Sequence, residues 1–418
     1  MTFAQATGQH RAPSALSSLT GSVGGEQDRN GQDRKASRTR RWSIIVGLVA
    51  LAVLMLNDRG QIFFDTKLGV DIDPIGFYTR LWHLWNPTQW FGTLQDQYIG
   101  YSFPMAPFYL AGQLLKVPVW VTERLWLSVL VATGFAGLVK LAEAVRIGTD
   151  RSRVVAGLAF AAWPTFTIVI GSTSAGILPG LLAPWAVLPL VTAANGGSLA
   201  RAAARSGVAV LFMGGVNATS TLYVLILPAL FIATQLRGRR RVVLAGLWTG
   251  AVMLATAWWV VPLLLQAKYS YNFLPYVEQA ATTTGTMSGA AFLRGAGNWT
   301  AYLNLGQPWL RAGWVMVAYP VAIMAAAIAA GTGLLGLSRR DLPVGGWLRL
   351  SLGAAALVAL SGYSGPLGGV FPPPVDQLLN GVAAAAEHLQ GGASRGGCAR
   401  ARHRPCARAQ NQARRARG

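Results

Sequence analysis

A chain of 418 residues in which 52% are hydrophobic and 12% are charged has too few charges for the surface of a soluble domain. The formal net charge of +21 would suit a nucleic-acid-binding protein, but much of it lies in two tails and in short clusters between apolar blocks. That distribution is typical of the positive-inside rule. The composition therefore predicts an all-α polytopic membrane protein embedded in a lipid bilayer, with no nucleic-acid partner.

The first apolar run follows a polar, basic segment. Residues 1–42 are rich in Gly, Ser, Gln and Arg without apolar periodicity, so we expect a disordered, basic cytoplasmic tail. Its end, Arg34 to Arg41, adjoins the apolar run Trp42 to Leu56, and a basic flank retains that side of a span in the cytoplasm. A cleaved signal peptide is the alternative, but no small-residue cleavage site follows the run.

Eight further apolar segments are candidate spans. They cover residues 125–145, 154–170, 177–194, 206–216, 220–236, 242–265, 313–336 and 347–361. With the first tail inside, every short inner loop is basic, through Arg146, Arg151, Arg153, Arg201, Arg205, Arg237, Arg239, Arg240, Arg241, Arg339 and Arg340. Residues 43–365 are thus predicted to form a transmembrane domain of about nine helices, with long outer loops at about 58–124 and 266–312.

Two stretches of the first outer loop predict helices at the membrane interface. Phe103 to Val117 is apolar but too short to span, which favours an interfacial or re-entrant helix. Trp82, Trp85 and Trp90 suggest a second interfacial helix, and an aromatic belt is the alternative explanation.

Carboxylates are scarce, and four of them fall in the short stretch from Asn57 to Pro74, where the first helix leaves the bilayer. Asp65 follows the apolar pair Phe63-Phe64 and precedes Lys67. A carboxylate at the interface reaches both a lipid-borne donor and a water-borne acceptor, as a general base requires, and Lys67 is placed to hold a phosphate. An ordinary solvated loop with scattered acids is the alternative.

The pair Asp71 and Asp73 forms a DxD pattern, which holds a divalent metal in soluble nucleotide-sugar transferases. This chain has no soluble nucleotide-binding domain, and Pro74 is equally explained by a turn. We therefore predict no metal and no other cofactor.

The second outer loop combines a lone carboxylate with two cations and several aromatic residues. The charged residues are Lys268, Glu278 and Arg294, and the aromatic ones include Tyr269, Tyr271, Tyr276, Trp299 and Tyr302. Such a set suits a sugar-phosphate site, and an interfacial loop with anchoring aromatics is the alternative.

The C-terminal part changes in composition. We expect residues 366–386 to begin a further outer segment. Residues 387–418 are rich in Ala and Arg, and no Asp or Glu follows Glu387. We interpret this tail as aberrant, as if GC-rich coding DNA were read out of frame, and a native basic tail is the alternative.

A set of motifs spread in order from about residue 43 to residue 382 resembles the actinobacterial arabinofuranosyltransferase D family. The motifs are Asp65-Thr66-Lys67-Leu68, Leu84-Trp85-Asn86-Pro87, Phe91-Gly92, Gln95, Gln97, Tyr101, Phe103-Pro104, Arg124-Leu125-Trp126, Leu182-Ala183-Pro184-Trp185, Gly215-Val216-Asn217-Ala218, Trp258-Trp259, Phe273-Leu274-Pro275-Tyr276-Val277-Glu278, Thr283-Thr284, Leu293-Arg294-Gly295 and Trp299-Thr300. The family's proteins are much longer, and they carry an acid near the start of the fourth span, where this chain has Ser174-Ala175-Gly176.

The resemblance implies a GT-C glycosyltransferase fold in the plasma membrane with its active face outside the cytoplasm. It implies transfer of arabinofuranose, with inversion, from a decaprenyl-phosphate-linked donor to the arabinan of arabinogalactan and lipoarabinomannan in the cell wall. The catalytic acid expected just after the first helix is Asp65. The residues expected to bind substrate are Lys67, Asp71, Asp73, Gln97, Arg124, Lys268, Glu278 and Arg294.

Two other functions stay open. A transporter or flippase of a polyprenyl-linked lipid would need polar or charged groups in mid-span, which are almost absent. A non-catalytic membrane scaffold is the other alternative.

Overall fold

The computed structural model describes residues 37–63, 68–83, 85–86, 92–94, 98–269 and 283–361. The helices in this part of the chain are α1 (37–55), α2 (Leu68–Ile72), α3 (Pro74–Leu81), α4 (Tyr98–Tyr101), α5 (Met105–Leu114), α6 (Val119–Ala144), α7 (Asp150–Ala161), α8 (Pro164–Thr167), α9 (Ser174–Ala194), α10 (Leu199–Leu211), α11 (Ala218–Gln235), α12 (Gly238–Tyr269), α13 (Gly289–Leu293), α14 (Arg311–Ala318), α15 (Pro320–Ser338) and α16 (Gly345–Leu360). A short 3₁₀ helix covers Trp299–Tyr302.

This architecture confirms the predicted all-α membrane class. Each predicted span overlaps a helix or a broken pair of helices, and one of them is displaced along the sequence. Among the described residues, five helices have the length and apolarity needed to cross a membrane: α6, α9, α11, α12 and α15. A count of nine spans therefore stays a prediction.

Two predicted spans are interrupted at a proline. The segment predicted at 154–170 ends its first helix at Ala161 and resumes at Pro164, and the segment predicted at 313–336 breaks between Ala318 and Pro320. Proline disfavours helical geometry in the residue before it but fits the first position of a new helix. The apolar pattern indicated the membrane segments, and the prolines divide them.

The span predicted at 206–216 is displaced towards the N-terminus. The helix found there, α10, covers Leu199–Leu211 and includes Arg201 and Arg205, which we assigned to an inner loop. Its buried positions recur at helical spacing, and Ser206 donates a hydrogen bond of 2.7 Å to the carbonyl oxygen of Ala186 in α9. The helix is amphipathic and packs through small residues, so a search for continuous apolar runs misplaces it.

Trp82 and Trp85 of the first outer loop do not lie in the predicted helix. Helix α3 ends at Leu81, and Trp82 lies just beyond it with 84% of its surface exposed. Trp85 lies in a two-stranded antiparallel ribbon, β1 (Trp85–Asn86) with β2 (Thr93–Leu94), in which Trp85 faces Leu94. Trp90 lies outside the described residues. The helix predicted within Phe103 to Val117 is confirmed as α5.

Small residues bring the central helices together. A Cβ atom at Gly134 of α6 would overlap the side chain of Leu181 in α9, and one at Gly137 would overlap the indole of Trp185. The indole nitrogen of Trp185 donates to the carbonyl oxygen of Thr133 at 3.0 Å. Inside a bilayer the hydrophobic effect does not drive helices together, so they associate through close van der Waals contact at small residues such as glycine.

Helices α1 and α6 are antiparallel, as their two ends show. At one end, Arg38 forms an ion pair of 2.7 Å with Asp150, just beyond α6, and Thr39 donates to Glu143 at 3.2 Å. At the other end, Arg124 contacts the backbone of Leu54. The basic flank of α1 thus lies on the same side as the basic α6–α7 loop. Because α1 already includes residues 37–42, the end of the predicted disordered tail is helical.

Labelling of two exposed positions tests the predicted topology. In a chain whose Cys398 and Cys406 are replaced by serine, Gln307→Cys should react with a membrane-impermeant maleimide in intact cells. Arg239→Cys should react only after permeabilisation, because the basic loops belong inside. The opposite labelling pattern would reverse the orientation.

Candidate functional site

The end of α1 is held against the start of α6 by one buried arginine. Arg124 is 1% exposed, and its guanidinium makes four hydrogen bonds to backbone carbonyl oxygens. Three of these acceptors lie at the end of α1 and in the loop after it: Leu54 at 3.0 Å, Asp58 at 2.8 Å and Gln61 at 3.2 Å. The fourth is Trp120 in α6 at 2.8 Å. A cation suits this place because the last carbonyls of a helix have no partner inside the helix.

The neighbouring carboxylate extends the same contact along the loop. Glu123 is 3% exposed, and both of its carboxylate oxygens accept the backbone N–H of Phe63, at 2.9 and 3.1 Å. Two consecutive residues of α6 therefore bind the loop from Leu54 to Phe63 at four points. We call Glu123 and Arg124 the loop clamp.

The segment 162–173 connects the loop clamp to a second feature. The ring of Phe63 lies close to Gly171, where an added Cβ atom would approach the ring to 3.3 Å. Earlier in the same segment, the hydroxyl of Thr165 donates to the carbonyl oxygen of Gly295 at 3.0 Å. The chain between α7 and α9 thus touches both the first and the second predicted outer loop.

The second feature is a cleft of about 730 Å³. One wall is apolar and consists of α15 residues Ala329, Ala330, Gly333, Leu334 and Leu337 together with Leu352 of α16. Polar residues also line the cleft: Thr165, Asn217, Thr283 and Asn298. A cleft lined by both apolar and polar residues fits a molecule that has a long hydrocarbon chain and a polar head.

A cation lies at this cleft. Arg294 follows the cleft residue Leu293 and precedes Gly295, and its Nε donates to the carbonyl oxygen of Ala290 at 3.3 Å. Its Nη1 atom is buried and makes no hydrogen bond within the described part of the chain. A buried guanidinium N–H without an acceptor is costly, so this atom favours an additional acceptor beside the cleft.

Several predicted site residues cannot be placed. Asp65, Lys67, Gln97 and Glu278 lie outside the described residues. Lys268 belongs to the last turn of α12, and its side chain is outside the described set. Their roles stay predictions.

The two acids of the DxD pattern have different environments. Asp71 is 4% exposed in α2, whereas the half-exposed Asp73 caps α3 by accepting the backbone N–H of Gly76 at 2.9 Å. Asp73 also forms an ion pair of 3.4 Å with Arg80. Within the described ranges, no three His, Cys, Asp or Glu residues lie together as a metal site. Asp73 is therefore the N-cap of α3, a local structural role of the kind that the turn at Pro74 offered as the alternative to metal binding.

The guanidinium of Arg124 makes four hydrogen bonds to carbonyl oxygens. Its predicted contact with substrate stays a prediction. The position where the resemblance implies an acid holds Ser174, which is buried and accepts a hydrogen bond of 3.0 Å from the indole of Trp126.

Tyr78 ties α3 to the chain before α5. Its hydroxyl donates to the carbonyl oxygen of Ser102 at 2.9 Å, and burial raises the pKa of Tyr78 above its ordinary value. Because the raised pKa belongs to the folded state, this contribution to stability is present below pH ~10 and is lost as the pH rises through the folded-state pKa.

Sequence reasoning missed two contributors to the site. Glu123 is not among the predicted site residues, although a charged pair at the start of an apolar helix is an unusual signal. Thr165 gave no signal, because its importance depends on the break before Pro164 and on a loop about 130 residues away.

The helical bundle and its five long apolar helices define this chain as an all-α polytopic membrane protein. The chain belongs to the family described as alpha-(1->3)-arabinofuranosyltransferase, N-terminal GT-C domain, whose family model matches residues 49–388.

Two curated relatives, each named alpha-(1->3)-arabinofuranosyltransferase, support this assignment. The chain is 37% identical over 348 residues to the Mycobacterium tuberculosis protein, covering 82% of this chain and 25% of that one. It is 37% identical over 346 residues to the Mycolicibacterium smegmatis protein, covering 82% and 24%. The chain thus spans about a quarter of the length of the curated relatives that it matches.

A solved structure shares the fold. The cryo-EM structure of arabinofuranosyltransferase AftD from mycobacteria matches with a TM-score of 0.61 and 33% identity. The match covers 77% of this chain and 24% of that chain.

Proposed function

We propose that this chain is the membrane-embedded catalytic part of an arabinofuranosyltransferase of the plasma membrane, active on the outer face. It takes arabinofuranose from decaprenyl phosphate and adds it to cell-wall arabinan with inversion, and Asp65 is the general base. The observation that carries the proposal is the clamped loop from Leu54 to Phe63, which leads to Asp65 two residues later. The names of the relatives supply the reaction class.

The cleft supports a lipid-borne donor. Its apolar wall on α15 suits a polyprenyl chain, and Arg294 lies at the cleft residues Leu293 and Gly295 with a buried N–H that lacks an acceptor in the described part of the chain. A phosphate oxygen supplies such an acceptor, and a guanidinium binds phosphate well.

The reaction is a single displacement. The Asp65 carboxylate removes the proton from an arabinan hydroxyl, and the resulting oxygen attacks the anomeric carbon from the face opposite the phosphate. The bond between the anomeric carbon and the phosphate oxygen breaks, and decaprenyl phosphate leaves with the electron pair. Inversion follows from one attack, and cations on the phosphate stabilise the developing charge.

Transfer by the purified chain tests the proposal. The chain is reconstituted in proteoliposomes with an arabinan oligosaccharide and either decaprenyl-phosphate-linked arabinose or a nucleotide-linked arabinose. We expect a longer oligosaccharide with the lipid-linked donor alone. Movement of the donor lipid between leaflets without transfer would instead favour the flippase, and absence of both activities would favour the scaffold.

Removal of single cations tests donor binding. Arg294→Ala and Lys67→Ala should raise the KM for the lipid-linked donor about tenfold, because each deletes one charge-assisted hydrogen bond to phosphate. The KM for the arabinan acceptor should stay within about twofold. Arg311→Ala is the matched control, since Arg311 lies at the exposed start of α14. An unchanged donor KM for Arg294→Ala would exclude phosphate binding at the cleft, and an unchanged donor KM for Lys67→Ala would exclude Lys67 as a phosphate ligand.

A further inference from the structure

The geometry points to Glu123 and Arg124 as positioning residues for catalysis, which hold the loop after α1 so that Asp65 reaches the acceptor. This inference rests on the proposed function, because it assigns the clamp a purpose only if Asp65 acts as the base.

The clamp holds backbone rather than side chains. Arg124 binds the carbonyl oxygens of Leu54, Asp58 and Gln61, and Glu123 binds the N–H of Phe63. Hydrogen bonds at four points over ten residues fix both the place and the direction of the chain. Phe63, the last residue bound by the clamp, precedes Asp65 by two residues in the sequence. A general base must be held within hydrogen-bonding reach of the proton that it removes, and fixing the chain just before it serves that need.

The two buried charges fix the direction of the loop as well as its place. Removing charged groups from water is expensive, but apolar residues would leave the carbonyl oxygens at the end of α1 without donors. A planar guanidinium presents its donors in fixed directions, which apolar packing cannot do. Arg124 also lies over the indole ring of Trp120, 4.8 Å from its centroid, so the guanidinium itself is held in place.

The other end of the same two helices offers a matched comparison. Glu143, also in α6, accepts a hydrogen bond from Thr39 of α1 at 3.2 Å. Glu123 and Glu143 thus both connect α6 to α1 or to its continuation, but only Glu123 lies beside the loop that leads to Asp65. A role in helix packing alone predicts changes in stability at both positions, without the selective loss of kcat that a positioning role predicts for Glu123.

The experiment compares Glu123→Gln with Glu143→Gln in the reconstituted chain. Glu123→Gln should lower kcat about 10- to 100-fold with donor and acceptor KM within about threefold, because a displaced base affects the chemical step and not binding. Hydrogen exchange in the peptide covering residues 54–63 should become faster. Glu143→Gln should leave kcat, KM and exchange in that peptide unchanged.

Arg124→Lys is the second variant. Lysine keeps the positive charge but lacks the planar guanidinium whose N–H groups bind the three loop carbonyl oxygens at the same time. A normal kcat in a folded Glu123→Gln or Arg124→Lys variant would overturn the inference. Failure of both variants to accumulate in the membrane would show that the pair serves folding, and would also overturn it. If Asp65→Asn retains transfer, the proposed base is wrong. If Asp65→Asn is inactive and both clamp variants are normal, the positioning role alone is wrong.

Discussion

Replacing Asp65 by asparagine is expected to lower arabinose transfer by about 10²- to 10⁴-fold, the usual contribution of a general base. Asparagine keeps the size and polarity of the side chain but cannot accept the acceptor's proton. Binding of the lipid-linked donor should be nearly unchanged, so the loss should fall in kcat. The measurement is the initial rate of arabinan extension at saturating donor, with the amount of membrane-inserted protein determined in parallel.

Asp73→Asn is the matched control, with the same change of charge eight residues further along the chain. Asparagine caps helices as well as aspartate does, so the hydrogen bond to Gly76 should persist. The ion pair with Arg80 is half-exposed and contributes about 0–1 kcal/mol. Transfer should therefore fall less than threefold. High activity of Asp65→Asn together with low activity of Asp73→Asn would move the base along the loop.

The second large effect is expected on stability, at the place where the first outer loop meets the bundle. A Cβ atom at Gly100 of α4 would lie 2.5 Å from the carbonyl carbon and oxygen of Gly215 and 2.7 Å from the nitrogen of Val216. Gly215 in turn lies against the ring of Trp259 and donates its N–H to the carbonyl oxygen of Gly100 at 3.2 Å. Neither neighbour can move easily, because both contacts are with backbone atoms and Gly215 is packed against the buried indole of Trp259.

Gly100→Ala should therefore lower the free energy of unfolding by about 1–3 kcal/mol through overpacking. Gly246→Ala is the control, because a Cβ atom there has open space and alanine favours a helix interior. In detergent, the unfolding midpoint should fall for Gly100→Ala and stay equal or rise for Gly246→Ala. Equal midpoints for Gly100→Ala and the unmodified chain would mean that the loop and the bundle do not meet as closely as described.

The Asp65→Asn variant tests the chemical step, and the Gly100→Ala variant tests the packing of the fold. Asp65→Asn changes a proton acceptor and should leave the unfolding midpoint unchanged, whereas Gly100→Ala changes the packing that holds the first outer loop. Measuring activity and unfolding for both variants separates loss of chemistry from loss of structure.

The sequence by itself determined the class of the protein and the approximate place of its helices. Long apolar runs can lie in a bilayer only as hydrogen-bonded helices, so α6, α9, α11 and α12 follow from composition alone. Basic clusters predicted which loops share a side, and the Arg38–Asp150 ion pair joins two of those basic segments. The resemblance indicated the family that the comparisons then established.

Tertiary structure decided how the candidate site is assembled. Hydropathy does not identify the partners of a buried charge, so the hydrogen bonds of Arg124 to the carbonyl oxygens at the end of α1 could not be predicted. The pairing of Glu123 with Phe63 spans 60 residues, and that of Thr165 with Gly295 spans 130. Contacts over such separations depend on how the helices pack, and local periodicity does not encode that packing. The clamp and the cleft could therefore be identified only in the tertiary structure.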